Sequence, residues 1–151
     1  MRAVVQRVTR AEVTVGKELI SRISHGLCVL VGAMNGDNET DVAFMARKLS
    51  TLRIFPDSEG RMNLSVQDAG GAILLVSQFT LAADTTSGTR PSFTAALPPE
   101  QAKPLLEMLA TQLRTKGIEV GTGEFGAKME LALVNDGPVT IMLDSRDKRK
   151  K

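Results

Sequence analysis

Gly70-Gly71-Ala72-Ile73-Leu74-Leu75-Val76-Ser77-Gln78-Phe79-Thr80 is the stretch on which the fold turns. Ala72–Val76 is the strongest buried-strand pattern in the chain, an unbroken apolar run of the kind covered on both faces. It leads straight into the polar exit Ser77-Gln78-Phe79-Thr80. Gly26–Val31 (GLCVLV) has the same continuous apolar character. Strands of this type need helices over them, so the chain reads as α/β.

The segments around these two runs fill in the layers. Upstream, Met1–Val8 and Ala11–Val15 read as two strands and Lys17–Ser24 as a third. Between the two apolar runs a helix starts after Asn38, a good cap, with Glu39 and Asp41 in its first turn and Arg47 and Lys48 near its end. Val42, Met45, Leu49 and Leu52 form its buried stripe. Leu52–Phe55 reads as a short strand ended by Pro56, and Asp57–Gly60 as a turn. A second helix is expected over Pro99–Lys116, with Pro99 at the first helical position and Gly117 at the stop. Pro104 lacks the N–H that a helix interior uses, so either the first turn is 3₁₀-like or the regular helix begins at Pro104. Two final strands, Lys128–Val134 and Val139–Leu143, are expected on either side of Asn135-Asp136-Gly137-Pro138. With no repeat or linker in view, the reading is a single compact α/β domain with a mixed sheet and two main helices, residues 1–145, followed by a basic tail, 146–151.

Composition narrows the chemistry. The 151 residues suit one domain at ~100–200 residues per domain. No apolar run reaches the ~18 residues that cross a bilayer, and the N-terminus lacks a signal-peptide core. A cytoplasmic location with no membrane partner is the expectation. One His and one Cys leave no disulfide within the chain and no usual His/Cys zinc site, so neither metal nor cofactor is expected. His25 stands at a strand edge and reads as structural, and Cys28, inside an apolar strand, as a small hydrophobe. A Ser–His–Asp or Cys–His arrangement is therefore disfavoured. Gly121 and Gly123 are too little for a nucleotide loop, and five Phe without Trp or Tyr give no broad stacking platform. The net charge of +2 hides a tail of +4 on a body of −2, so the body is no polycation.

Two features remain that could carry chemistry. At the exit of the central strand, Ser77, Gln78, Phe79 and Thr80 sit where open α/β sheets place ligands, and N–H groups released from the ladder there could bind an oxyanion. An ordinary polar turn explains the same residues. Gly137-Pro138 is the second. An X–Pro bond can be cis at low cost (~0.5–1 kcal/mol), and then two carbonyls converge into an acceptor site suited to an ammonium group. A plain turn is the alternative, and the isomer stays open at this level.

These stretches also carry a resemblance. Gly60–Val66 (GRMNLSV), Ser77–Asp84 (SQFTLAAD), Gly88–Phe93 (GTRPSF) and Leu133–Thr140 (LVNDGPVT) resemble the D-aminoacyl-tRNA deacylase family, and the likeness runs over essentially the whole chain. The resemblance implies a barrel-like core and a homodimer with its active sites at the subunit interface. It implies a cis Gly137-Pro138 bond inserted into the partner's site, held in place with the help of Arg7. Ser77, Gln78, Phe79 and Thr80 would line the catalytic pocket, with Phe125 and Met129 nearby. The substrate implied is a D-amino acid, or mischarged glycine, esterified to the 3′-terminal adenosine of tRNA. One departure stands out: Ser87 occupies a position where relatives usually carry a basic residue before the loop glycine. Arg90 in the same loop reads equally as an RNA contact or as a guanidinium pinning the loop.

An aminoacyl ester is already activated, so orientation, an oxyanion site and the neighbouring 2′-hydroxyl can drive hydrolysis without an imidazole. Thr80 as nucleophile is second, because no base is evident beside it. Chirality would follow from exclusion: with the ammonium held by the Gly137 and Pro138 carbonyls, a D side chain faces solvent and an L side chain strikes the carbonyl wall. The competing class is a non-enzymatic nucleic-acid-binding dimer using the basic tail, and a third is a purely structural dimer module.

Overall fold

In the computed structural model, which describes residues 1–149, the two apolar runs lie side by side as parallel strands. Their flanking strands make β1 (Arg2–Val15), β2 (Glu18–Ile23), β3 (Gly26–Gly32), β4 (Phe55–Pro56), β5 (Met62–Leu64), β6 (Ala72–Ser77), β7 (Val120–Thr122) and β8 (Glu130–Asp144). The helices are α1 (Glu39–Thr51) and α2 (Pro99–Thr115). The main sheet is mixed, in the order β2-β1-β3-β6-β7, with β8 paired to β1. β3, β6 and β7 run parallel and β1 runs against them. α1 with the β4–β5 hairpin, and then α2, supply the crossovers that parallel neighbours require. A Cβ at Gly121 would lie 2.2 Å from Ser21 Oγ, so β7 approaches β2 and the sheet is nearly a closed barrel.

Alternation along β3 and β6 divides the core in two. Leu27, Val29, Val31, Ile73 and Leu75 face the helices, beside Val42, Met45, Leu49 and Leu109. Cys28, Leu74 and Val76 face the barrel interior, beside Val8, Ala11 and Val13. Both faces of the central strands are thus covered, which is why their sequences lack polar alternation.

β1 is one strand rather than the two expected. Its first half pairs with β3 and its second with β2, while β8 follows it from end to end. Buried positions step from Val5 to Val8 and from Val8 to Ala11, and register shifts with β8 fall at both places. Val8, three residues from Val5, takes the opposite face by ordinary alternation, and the shift between Val8 and Arg10 then keeps Ala11 and Val13 on Val8's side, so Ala3 and Val5 join the helix-side core and Val8, Ala11 and Val13 the barrel side. The polar Thr9-Arg10 break marks a bulge and not an end. β8 corrects the expectation of two strands in the same way. Gln6 pairs with Thr140 and Val8 with Asn135, so Arg7 alone stands opposite the four residues Asp136 to Val139, which leave the ladder as a protruding loop.

α1 starts as expected: Asn38 Oδ1 accepts from the Thr40 N–H at 2.8 Å, and Asp41 reaches back to the Asn38 N–H at 3.0 Å. Leu52 closes this helix, and the short strand lies at Phe55–Pro56, opposite β5, which the sequence reading missed. α2 is regular through Pro104, settling that alternative. Pro104 is exposed, and so is Glu100, whose carbonyl loses its helical partner. Gly117, with φ +87°, follows the last turn. Lys150 and Lys151 of the basic tail lie outside the described residues; Ser145–Arg149 form a 3₁₀ turn.

Candidate active site at the exit of the central strand

β6 ends at Ser77 against Val31, and the next residue is gripped from both sides. The Gln78 N–H donates to the Val31 carbonyl at 2.8 Å. A Cβ on Gly32 would stand 2.5 Å from the Gln78 oxygen, so only glycine lets the chain turn here so close to β3. The turn continues as a 3₁₀ segment, Phe79–Ala82, with the Leu81 N–H on the Gln78 carbonyl at 3.3 Å and the Ala83 N–H on the Thr80 carbonyl at 3.0 Å. The Gln78 N–H is therefore committed to Val31 and is not among the released donors that the sequence suggests. The Arg2 guanidinium donates to the Leu81 carbonyl at 2.9 Å and ties the segment to the end of β8 through Asp144.

A cavity of about 580 Å³ opens at this exit. Ser77, Gln78 and Phe79 line it together with Phe125 and Met129, joining residues far apart in the chain. Phe79, 59% exposed, meets Phe93 edge-on at its mouth, with ring centroids 5.3 Å apart at 73°. The lining is mostly apolar with a few polar groups, the character of a small-molecule site. Thr80 is exposed and outside the wall. The Gln78 side-chain amide donates to Thr80 Oγ1 and so holds it beside the cavity. That bond leaves the threonine proton free to be donated elsewhere, and an amide is no base. His25 is at the other end of the β3–β6 pair, its ring against Phe55 at 5.1 Å.

The remaining candidates gather in a second place. The Arg7 side chain, 11% exposed, donates to the Ile54 carbonyl at 2.7 Å and the Asp136 carbonyl at 3.2 Å, and pairs with the Asp136 carboxylate at 3.3 Å. Asn135 Oδ1 accepts from the Val139 N–H at 3.1 Å and closes the loop's base. Gly137–Pro138 is cis, with both residues exposed. Neither lines the cavity of its own chain.

Asp84 shapes the loop between the 3₁₀ segment and Phe93. Its backbone exchanges two hydrogen bonds with Ser92, at 2.8 and 2.9 Å. The Thr86 N–H and then the Thr86 hydroxyl hold its carboxyl below the ordinary carboxylate range. Arg90 makes no hydrogen bond or ion pair among the described residues, so Asp84, not Arg90, pins this loop.

The sequence profile of the family described as D-Tyr-tRNA(Tyr) deacylase matches residues 4–144. The chain belongs to that family. The D-aminoacyl-tRNA deacylase of Roseiflexus sp. (strain RS-1) is 57% identical over 145 residues, which cover 96% of this chain and 94% of the relative. That of Brevibacillus brevis is 55% identical over 145 residues, covering 96% and 100%. A solved structure named c-Myc DNA Unwinding Element Binding Protein matches with a TM-score of 0.90 and 45% identity, over 95% of this chain and 98% of that one. A probable eukaryotic D-amino acid tRNA deacylase matches with a TM-score of 0.80 at 18% identity, over 94% and 97%, a likeness of fold alone. As a member of this deacylase family the chain is an enzyme, a hydrolase.

Sequence reasoning missed part of the deacylase cavity wall. Gly32 has a legible signal, as the glycine ending a continuous apolar run. Phe93 lies within a quoted motif but was given no role. Ala102 and Leu106, buried four apart on α2, carry only the helical spacing that any core-facing stripe shares.

Proposed function

We propose that the chain hydrolyses the ester between a D-amino acid and the 3′-terminal adenosine of tRNA, releasing free D-amino acid and free tRNA, and that it also accepts glycine. The observation that carries this reading is the cavity where Ser77, Gln78, Phe79, Phe125 and Met129 converge in a chain matching the deacylase family over residues 4–144. The apolar cavity takes the adenosine, and the ester carbonyl lies over the strand exit. Water adds to the acyl carbon with the terminal 2′-hydroxyl assisting its deprotonation, the bond to the 3′-oxygen breaks, and that oxygen takes the proton. Thr80, already accepting from Gln78, donates to the developing oxyanion.

Selection of the D-enantiomer falls to Gly137 and Pro138 of a second copy, whose carbonyls hold the ammonium group and exclude an L side chain. Exposure of both residues, outside their own chain's cavity, supports an assignment across subunits. So does β8 itself, which among the described residues pairs along one edge only and carries Met142 at 80% and Val134 at 41% exposure.

Cleavage assays with D-Tyr-tRNA and L-Tyr-tRNA side by side test the reading: only the D-ester is expected to be cleaved, and equal cleavage of both, or of neither, overturns it. Full activity retained in Thr80→Ala rejects Thr80 both as nucleophile and as oxyanion donor and leaves the 2′-hydroxyl as the remaining catalytic group, and removal of the terminal 2′-hydroxyl is expected to abolish turnover. The name of the 45% identical structure favours one other reading, binding of nucleic acid without hydrolysis. Gel shifts with uncharged tRNA and duplex DNA separate the two, since tight binding without deacylation favours the second.

A further inference from the structure

The main cavity does not end at Phe125. Val31, Ser77, Leu106 and Phe125 also wall a second cavity of about 310 Å³ between α2 and β7. Leu75 and Ala110 give it an apolar floor, and Lys103, Glu107, Thr111 and Arg114 rise around it from α2. These four residues are spaced four, four and three apart, so they share one helix face. Arg114 is anchored by a 2.9 Å bond to the Val120 carbonyl.

The lining chooses among occupants. A carboxylate, Glu107, stands in the wall beside the two cations, which argues against a bare phosphate. A group with a donor edge, an acceptor edge and flat apolar faces uses all of it. Glu107 can accept from an exocyclic amine as carboxylates do from cytosine N4, while Lys103 and Thr111 can donate to ring and carbonyl acceptors. Phe125, shared by both cavities, offers a ring for a base to stack on. At about half the volume of its neighbour, the cavity suits a pyrimidine.

We propose that the second cavity binds the nucleobase preceding the terminal adenosine of the tRNA, a pyrimidine with an exocyclic amine as in cytidine, read by Glu107 with Lys103 and Thr111. The shared wall makes the two occupants covalent neighbours, and the proposal rests on the reading of the main cavity as the adenosine site.

The test uses non-hydrolysable D-aminoacyl amides of 3′-amino-3′-deoxyadenosine as inhibitors: the nucleoside alone, its 5′-cytidylyl form and its 5′-uridylyl form. The cytidylyl form is expected to inhibit about tenfold more tightly than the uridylyl form, which carries the same phosphate. Glu107→Ala, an exposed position, is expected to erase that difference and leave the nucleoside's inhibition unchanged. Equal inhibition by the cytidylyl and uridylyl forms, or a Glu107→Ala variant that weakens all three alike, overturns the second site while the adenosine reading stands. Failure of the nucleoside analogue itself to inhibit overturns both.

Discussion

The strand exit and the Gly137–Pro138 loop are both places where the chain leaves a β-ladder, yet they leave it in opposite ways. At the exit, the backbone of Gln78 is consumed on both sides, by Val31 and by Leu81, and side chains are offered to a concave space. In the loop, side chains are turned inward to hold the base, Arg7 on Asp136 and Asn135 on Val139, and the exposed part is peptide. The two regions therefore suit different tasks. A cavity of side chains can recognise one constant structure, such as a terminal nucleoside. A rigid peptide edge recognises the part common to all amino acids and leaves their side chains alone, as chiral selection over many substrates requires.

The most damaging change to this division is Gly137→Ala. Gly137 has φ +132°, and a Cβ there would stand 2.8 Å from Val139 Cγ2, 3.1 Å from the Val139 nitrogen and 3.2 Å from the Arg7 guanidinium. Displacing the peptide by about an ångström is expected to cost about 10²-fold in D-aminoacyl-tRNA cleavage. Because the loop is exposed, thermal unfolding should shift little; full activity in this variant would break the comparison.

Arg7→Ala is next. It strands the carbonyl of buried Ile54, at about 1–3 kcal/mol for a buried group left without a partner, and frees the partly exposed Asp136 carboxylate from its anchor. The expected result is a lower Tm together with roughly tenfold poorer discrimination between D- and L-aminoacyl-tRNA, since a loop loosened by ~1.4 kcal/mol changes a ratio tenfold. Lysine should not restore it, because one ammonium cannot replace a planar fork reaching two carbonyls. Loss of stability with discrimination intact would detach Arg7 from selection.

A smaller effect belongs to the loop of Asp84, beside the cavity's mouth. Its carboxyl is held below the ordinary value of 3.8, first by the Thr86 N–H and then by the Thr86 hydroxyl. A lowered folded value means that the stabilisation is complete above the ordinary carboxylate range and is lost as pH falls through the folded value. The Thr86 amide's protection, measured relative to its intrinsic exchange rate at each pH, should therefore fall in acid in the wild type. Asp84→Asn should remove that acid-dependent step, and an identical profile in both proteins would refute the assignment.

The least effect is expected at Cys28. Burial pushes its thiol up to about 12, so a thiol reagent at neutral pH should label it only on unfolding, and Cys28→Ala should keep activity. Rapid labelling of the native protein would show that the barrel interior opens.

Much of the architecture was legible because it depends on local periodicity. Ala72–Val76 and Gly26–Val31 announced strands covered on both faces, and Asn38 with Asp41 announced the start of α1, since capping is settled within four residues. The turn after β6 was legible for the same reason, from the abrupt change of the apolar run to Ser77-Gln78. What escaped was whatever a partner decides. β5 and β7 are three residues each, too short to hold a strand conformation without the neighbours they pair with. The continuity of β1 and of β8 escaped too, because a bulge is a mismatch between two ladders and exists only once both strands are placed.

The candidate site divides along the same line. The order of residues determined that a polar turn follows the central strand and that Gly137-Pro138 interrupts the last one, since residue type alone limits backbone conformation and side-chain chemistry. Only the tertiary structure decided that Phe125 and Met129 line one cavity with Gln78, that Gly32 must be bare for Gln78 to pass, and that Arg7 stands alone opposite four residues of β8. Those relations come from packing and register between distant segments, and neither is written in any single stretch of the chain.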